Sequence, residues 1–460
     1  MSTFSAINLS SRALAAAQRG LEVSGQNIAN ANTEGYTRQR VEQTSSVVPS
    51  TGQWSQRNVT GDGVEITGIA RINDALADAA VRSDAATAAE QQATSRVWTD
   101  VEANLGDLGT SGLSAQLTDM HKAWGDLVSA TDDTATATAR STVIARSQAV
   151  ASTVNSLDAD LRAQWKGLVD QAGTVVEEAN TVATRVAGLN KSIMEAASTG
   201  ASANELIDQR DAALTRLAEL TGARVVNRDH GGVDVYVGNA AIVTGTTAQS
   251  LTVTTTPTFD EAKAGTKSLT FAVDGVPALP VAGTLKATTD AVNTTVPGIS
   301  KDLDAIATKI GAQVNALYNP GGSGTDFFTV PTSDAAAGLR VNAAVTPSNF
   351  TDSTAGTVDR SVARAISELP SASTSASAAW RGTVVDIATK AQAADVRAEL
   401  SAQAAASSTA ARESISGVNI DEEMTSLVAY QHAYAAAARV LTTIDQALDT
   451  LINRTGLVGR

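Results

Sequence analysis

Cysteine is absent from this chain, so no disulfide staples it and no thiolate serves as metal ligand or nucleophile. Histidine occurs only at His121, His230 and His432, none at metal-ligand spacing from another. Aromatic residues are 3% of the chain although hydrophobic residues are 43%. The apolar surfaces are therefore made of small side chains, which favour slender helix-on-helix packing over one thick core. Positive charge is also short: the net charge is −14, and no Lys/Arg stripe exists to hold phosphates. Nucleic acid and anionic membrane surfaces are not expected as partners. No run approaches the ~18 apolar residues of a spanning helix, and the opening MSTFSAINLSSRALAAAQRG lacks the basic and apolar regions of a signal peptide. Membrane insertion and signal-peptide export are not expected. A cytoplasmic protein fits, and so does one exported by a machine that does not cut its cargo.

Catalytic chemistry is missing too. The adjacent acidic pairs Asp132-Asp133, Glu177-Glu178 and Glu422-Glu423 would point about 100° apart on a helix and share no proton. Gly321, Gly322 and Gly324 are not followed by the Lys-Ser or Lys-Thr of a phosphate-binding loop. No catalytic residue, metal or cofactor is expected.

What is present is helical rhythm, in a chain of 460 residues that allows two to four domains. A first helix reads over about 4–30, with Ile7, Leu14, Leu21 and Ile28 at strict sevens and Ser10, Ala17 and Ser24 as a small second column. Small residues let another helix approach closely. Asn27, Asn30, Asn32 and Gly35 punctuate its end, and 36–67 reads as an extended or short-strand connector. Helices dominate 71–220: stripes at Val97, Val101 and Leu105 and at Leu113, Leu117, Met120, Trp124 and Leu127, then two long helices over 143–168 and 175–194. Ser202 followed by Glu205 is a capping box opening a further helix. On that helix, Asp208-Gln209-Arg210-Asp211 reads as a solvated face or a local ion pair. His121 and His432 read as helix-surface residues and His230 as a turn residue.

The texture changes at Gly222. Val233, Val235 and Val237 alternate with Asp234 and Tyr236 as a half-buried strand, Gly238-Asn239 turns the chain, and Asp274-Gly275 closes a hairpin. Helical spacing returns from Ile299 to Leu317, followed by a glycine-rich loop, Phe327-Phe328, an irregular stretch to about Pro370 and an alanine-rich helix over 380–412. At the end, Ile420, Leu427, Tyr434, Leu441 and Leu448 again fall at sevens, with Met424, Ala438 and Ile452 in a second column. At ~1.5 Å per residue this helix is about 50 Å long. Neither terminal seam can be buried within its own helix, so each needs a partner. The expected fold is mainly α with a β insertion: paired, coiled-coil-like terminal helices, a long-helix bundle domain and a small β-rich outer domain. Residues 1–40 with 413–460 make the terminal part, 41–222 with 291–318 and 371–412 the bundle, 223–290 the β insertion, and 319–370 an irregular segment of the outer or bundle part.

Asn27-Ile28-Ala29-Asn30 followed by Asn32-Thr33-Glu34-Gly35-Tyr36 resembles the terminal signature of the axial proteins of the bacterial flagellum: rod, hook and hook-associated proteins. Gly35-Tyr36-Thr37-Arg38-Gln39, where rod and hook relatives typically carry Gly-Phe, is similar to the hook-associated protein 1 family of hook–filament junction subunits. The tail Ser416-Gly417-Val418-Asn419-Ile420-Asp421-Glu422-Glu423-Met424, the Leu206–Asp211 segment and Phe327-Phe328 resemble the same family. The resemblance implies a structural subunit rather than an enzyme, with Ile7, Leu14, Leu21, Ile28, Ile420, Met424, Leu427, Tyr434, Leu441 and Leu448 as assembly residues. It also implies a ring of copies between hook protein below and a second junction protein above, an export chaperone near the C-terminal helix, and type III export to an extracellular place without cleavage. The rival readings are a rod or hook subunit, which the helical 71–220 stretch opposes, and a hydrolase domain carried on flagellar helices.

Overall fold

The computed structural model describes residues 3–46, 63–106, 112–354 and 359–454. Parts of the connector (47–62), the bundle (107–111), the irregular segment (355–358) and the extreme ends (1–2 and 455–460) lie outside the described residues, as does the Ile452 side chain.

Helix α1 (Thr3–Ala29) leads into an antiparallel ribbon of β1 (Gln39–Ser45) and β2 (Val64–Arg71), with a bulge after Glu42. The ribbon packs on α1, so this segment adds no helix to the bundle. Asp74 caps α2 (Ala75–Leu105) by accepting from the amides of Leu76 and Ala77. After α3 (Leu113–Val128) comes α4 (Asp133–Thr199), a single helix of 67 residues where the sequence suggested two. Gly167 and Gly173 flank the expected break, but a lone glycine costs a helix only about 1 kcal/mol. Buried Leu168, Ala172, Val175 and Val176 keep the stripe unbroken. Helix α5 (Asn204–Thr221) starts behind Ala203 without a side-chain cap, so the expected capping box does not form; Glu205 accepts from Gln26 instead.

Strands β3 (Arg224–Asn227), β4 (Val233–Val237), β5 (Ala240–Thr244) and β6 (Thr247–Ala248) form one antiparallel sheet in chain order. A second holds β7 (Leu251–Thr255), β8 (Thr270–Val273) and β9 (Val276–Ala278), with α6 (Phe259–Ala264) before β8. β4 is buried on both faces rather than half-buried: Asp234 accepts from Arg228 at 2.6 Å and from the Gly245 amide at 2.8 Å. Asp274 and Gly275 take φ of 48° and 78°, as the tight hairpin requires. The β insertion stops short of its expected end, because α7 (Gly283–Asp290) runs through a π-helical turn (Ala291–Thr295) into α8 (Val296–Tyr318). The Trp165 indole donates to the Val292 carbonyl within that turn at 2.8 Å.

The remaining elements are β10 (Phe328–Thr329), α9 (Ala335–Gly338), β11 (Arg340–Val341), α10 (Ser361–Glu368), α11 (Ala376–Ser416) and α12 (Ile420–Arg454). One hydrophobic core runs along α4 and is shared by bundle and sheets. At its densest point Trp124, Tyr318, Phe327 and Phe350 pack with ring centroids 5.1–6.3 Å apart. His121, expected on a helix surface, is buried with Nδ1 3.0 Å from the Ile366 carbonyl, and burial pushes its pKa down. Three asparagines on α4 satisfy backbone groups of the short helix α9, strand ends and a turn: Asn155 donates to Ala336 and Ala337 in α9, Asn180 exchanges both bonds with Leu251, and Asn190 donates to Val233 and Gly245.

Candidate assembly interface

The terminal helices pair with each other. Gly20 lies against Tyr430 so closely that a Cβ would fall 2.5 Å from the ring. Arg38, just past α1, meets Glu423 near the start of α12, which sets the two helices antiparallel. The small column of α1 is the buried one: Ser10, Ala17 and Ser24, with Ala16, Val23 and Asn27. On α12, Glu423 and Ala437 are buried and Tyr430 is half-buried, whereas Met424, placed in the inner column by sequence, faces outward.

Of the ten expected assembly residues, Ile7, Leu14, Leu21, Ile28, Leu427, Leu441 and Leu448 are half-buried. Ile420, Met424 and Tyr434 are 48%, 48% and 39% exposed. Leu9, Val428 and Val440 are also exposed, at 36%, 44% and 50%. The pair therefore buries its small residues and leaves large apolar ones uncovered.

At the base of the pair the two terminal signatures meet. The Asn27 amide donates to the Gln39 carbonyl at 2.8 Å, and its oxygen accepts from the Gln39 amide at 3.0 Å and the Tyr36 hydroxyl at 2.9 Å. Gly35 takes a left-handed φ of 79° to turn the chain between them. Asn30 binds the Gln26 carbonyl and Thr33, while Asn32 is exposed. Burial, with the negative charges of Glu205, Asp208 and Glu423, pushes the Tyr36 hydroxyl up to about 12. Arg38 straddles the break between α11 and α12: its amide donates to the Ser416 carbonyl at 2.9 Å, and its guanidinium pairs with Glu422 at 2.8 Å and Glu423 at 2.7 Å.

The Asp208–Asp211 cluster is not a solvated face. Asp208 and Arg210 are buried. Asp208 accepts from the Thr37 amide at 3.1 Å, and Arg71 bridges Asp208 and Asp211 at 2.7 and 2.8 Å. The cluster thus fastens signature loop and ribbon to the bundle. Burial raises the Asp208 pKa and Arg71 opposes the rise. Sequence reasoning missed this role because Thr37 and Arg71 stand far from α5 along the chain.

Asn27→Ala removes all three bonds and strands both backbone groups of Gln39. About 2–4 kcal/mol of local stability is lost. Amide exchange at Gln39 then accelerates while exchange in α4 is unchanged; equal exchange at Gln39 in both proteins would refute this role.

Among the described residues no cluster of His, Asp and Glu is arranged to hold a metal, and no helix is long and apolar enough to cross a membrane. Residues 98–328 match the family described as "Flagellar hook-associated protein FlgK helical domain". The ends match "Flagella basal body rod protein" (7–37) and "Flagellar basal body rod FlgEFG protein C-terminal" (412–454). Flagellar hook-associated protein 1 of Bacillus subtilis is 27% identical across 100% of both chains. The protein of the same name in Escherichia coli is 31% identical over 54% of this chain and 44% of its own length. A solved structure, the flagellar hook junction protein FlgK from Burkholderia pseudomallei, aligns with TM-score 0.46 and 21% identity over 55% of this chain and 46% of that one. With rod-type matches confined to its ends and the hook-associated helical domain spanning its middle, the chain belongs to the flagellar hook-associated protein 1 (FlgK) family of structural flagellar junction subunits.

Proposed function

We propose that the antiparallel α1–α12 pair is the element that joins copies of this chain into a ring between hook and filament. The observation that carries the reading is the set of exposed apolar residues that flank the contact on helices that are otherwise paired: Ile420, Met424, Val428 and Tyr434 on one flank of α12, Val440 on the other, and Leu9 on α1. Soluble helices leave such a face open when another helix covers it in the assembly. Covering ~500–800 Å² offers ~12–20 kcal/mol gross, most of which ordering entropy offsets.

In this reading residues 1–40 and 413–460, joined by the ribbon that ends at Arg71, form the inner tube. The bundle and the β insertion pack laterally outside it. Hook protein lies below the ring and a second junction protein above. The chain reaches this extracellular position through the flagellar export channel without cleavage, guided by a chaperone near α12.

Truncation after Gly417 tests the proposal. The shortened chain is expected to stay folded and monomeric and to leave hook and filament unjoined. Normal junctions built from it would sink the idea.

A further inference from the structure

A cleft of about 470 Å³ between α2, α5 and the turn before β4 is lined by Arg71, Arg82, Arg210 and Arg228. Four cations gathered in one place are unexpected in a chain of net charge −14. The nearby carboxylates are already committed. Asp208 and Asp211 hold Arg71 at 2.7 and 2.8 Å, Asp234 holds Arg228 at 2.6 Å, and Asp78 holds Arg412 at 2.7 Å.

Two guanidiniums are left without a carboxylate among the described residues. Arg82 makes no hydrogen bond or ion pair there. Arg210, 7% exposed, has only neutral acceptors, Asn190 Oδ1 and the Gly231 carbonyl, both on Nη1. Its Nε is buried with no acceptor. Burial lowers the Arg210 pKa, and the charges of Arg71 and Arg82 act in the same direction against Asp211. A buried cation with no counter-charge is costly, and an arginine cannot escape by losing its proton.

We infer that this cleft is an oxyanion site in which Arg82 and Arg210 bind a carboxylate or a tetrahedral oxyanion. The guanidinium fork matches both shapes. Two sources supply that chemistry: a free ion such as sulfate, or an acidic side chain of a neighbouring copy, in a sequence with 48 Asp and Glu residues.

The experiment titrates the full chain with sodium sulfate against chloride at constant ionic strength and follows thermal unfolding. Sulfate stabilises proteins generally by exclusion from their surfaces. The reading is therefore the difference between Arg82→Gln and Arg397→Gln, an exposed position on α11. The parent and Arg397→Gln should show a saturable rise in Tm, with apparent affinity about tenfold weaker in Arg82→Gln, as expected for one lost charge-assisted bond. A second arm measures self-association by sedimentation. Weaker association of Arg82→Gln identifies a neighbouring copy's carboxylate as the occupant. Unchanged association alongside the sulfate effect identifies a free oxyanion. If the two variants behave alike in both arms, the site does not exist.

Discussion

Gly20→Val is expected to push α12 off α1 and prevent the joining of hook to filament, while the helical body unfolds at its usual temperature. At this position even a methyl group falls 2.5 Å from two ring carbons of Tyr430. Valine adds two more carbons in the same space, and overpacking of this kind costs about 1–3 kcal/mol. The damage is confined to the pair, because the bundle core lies elsewhere, along α4. Tyr430→Ala in the same chain removes the ring and should restore assembly. That rescue separates a clash between helices from the lower helix propensity of a β-branched residue. Normal junctions from Gly20→Val alone would mean that assembly does not use the observed pairing.

Trp124→Ala should be the most damaging single change to the body. The indole is fully buried against Tyr318, Phe327 and Phe350, so one residue ties α3 to α8 and to the segment around β10. Truncating a buried tryptophan costs about 3–5 kcal/mol through lost transfer energy and the cavity left behind. Its indole nitrogen has no acceptor here, so the substitution strands no hydrogen-bonding partner and the loss measures packing alone. Denaturant unfolding of the full chain, followed by helix content, reads this directly. A loss below about 1 kcal/mol would show that the cavity collapses freely, against the usual behaviour of a close-packed core.

Residues that act locally were legible. The helix of α1, the hairpin at Asp274-Gly275 and the stripes at Val97, Val101 and Leu105 depend on neighbours along one element, and they form where the sequence places them. The union of bundle, sheets and terminal helices follows from the family signatures. What the sequence hid depends on distant partners. Asp208 looked solvated because Arg71 is remote in the chain, and His121 looked exposed because the Ile366 carbonyl is more remote still. Length misled at α4, where alanines at Ala172, Ala179 and Ala183 carry the buried stripe without the bulk that marks a core position. The two assembly seams were readable as seams, but the contacting columns were not. Closeness of approach, set by Gly20 under the Tyr430 ring, puts the small residues inside and turns the large ones outward.

The continuity of α4 has a mechanical consequence. Arg146, in the first third of α4, pairs with Asp119 on α3, and near the end of the helix Asn190 grips the first sheet, so about 65 Å of unjointed rod links the two contacts. A twisting load on the sheets then reaches α3 as elastic strain in a hydrogen-bonded spring, with no loop between the two contacts on α4 to absorb it. The helical path from α11 into α12 is interrupted at residues 417–419, where Arg38 braces both sides of the break.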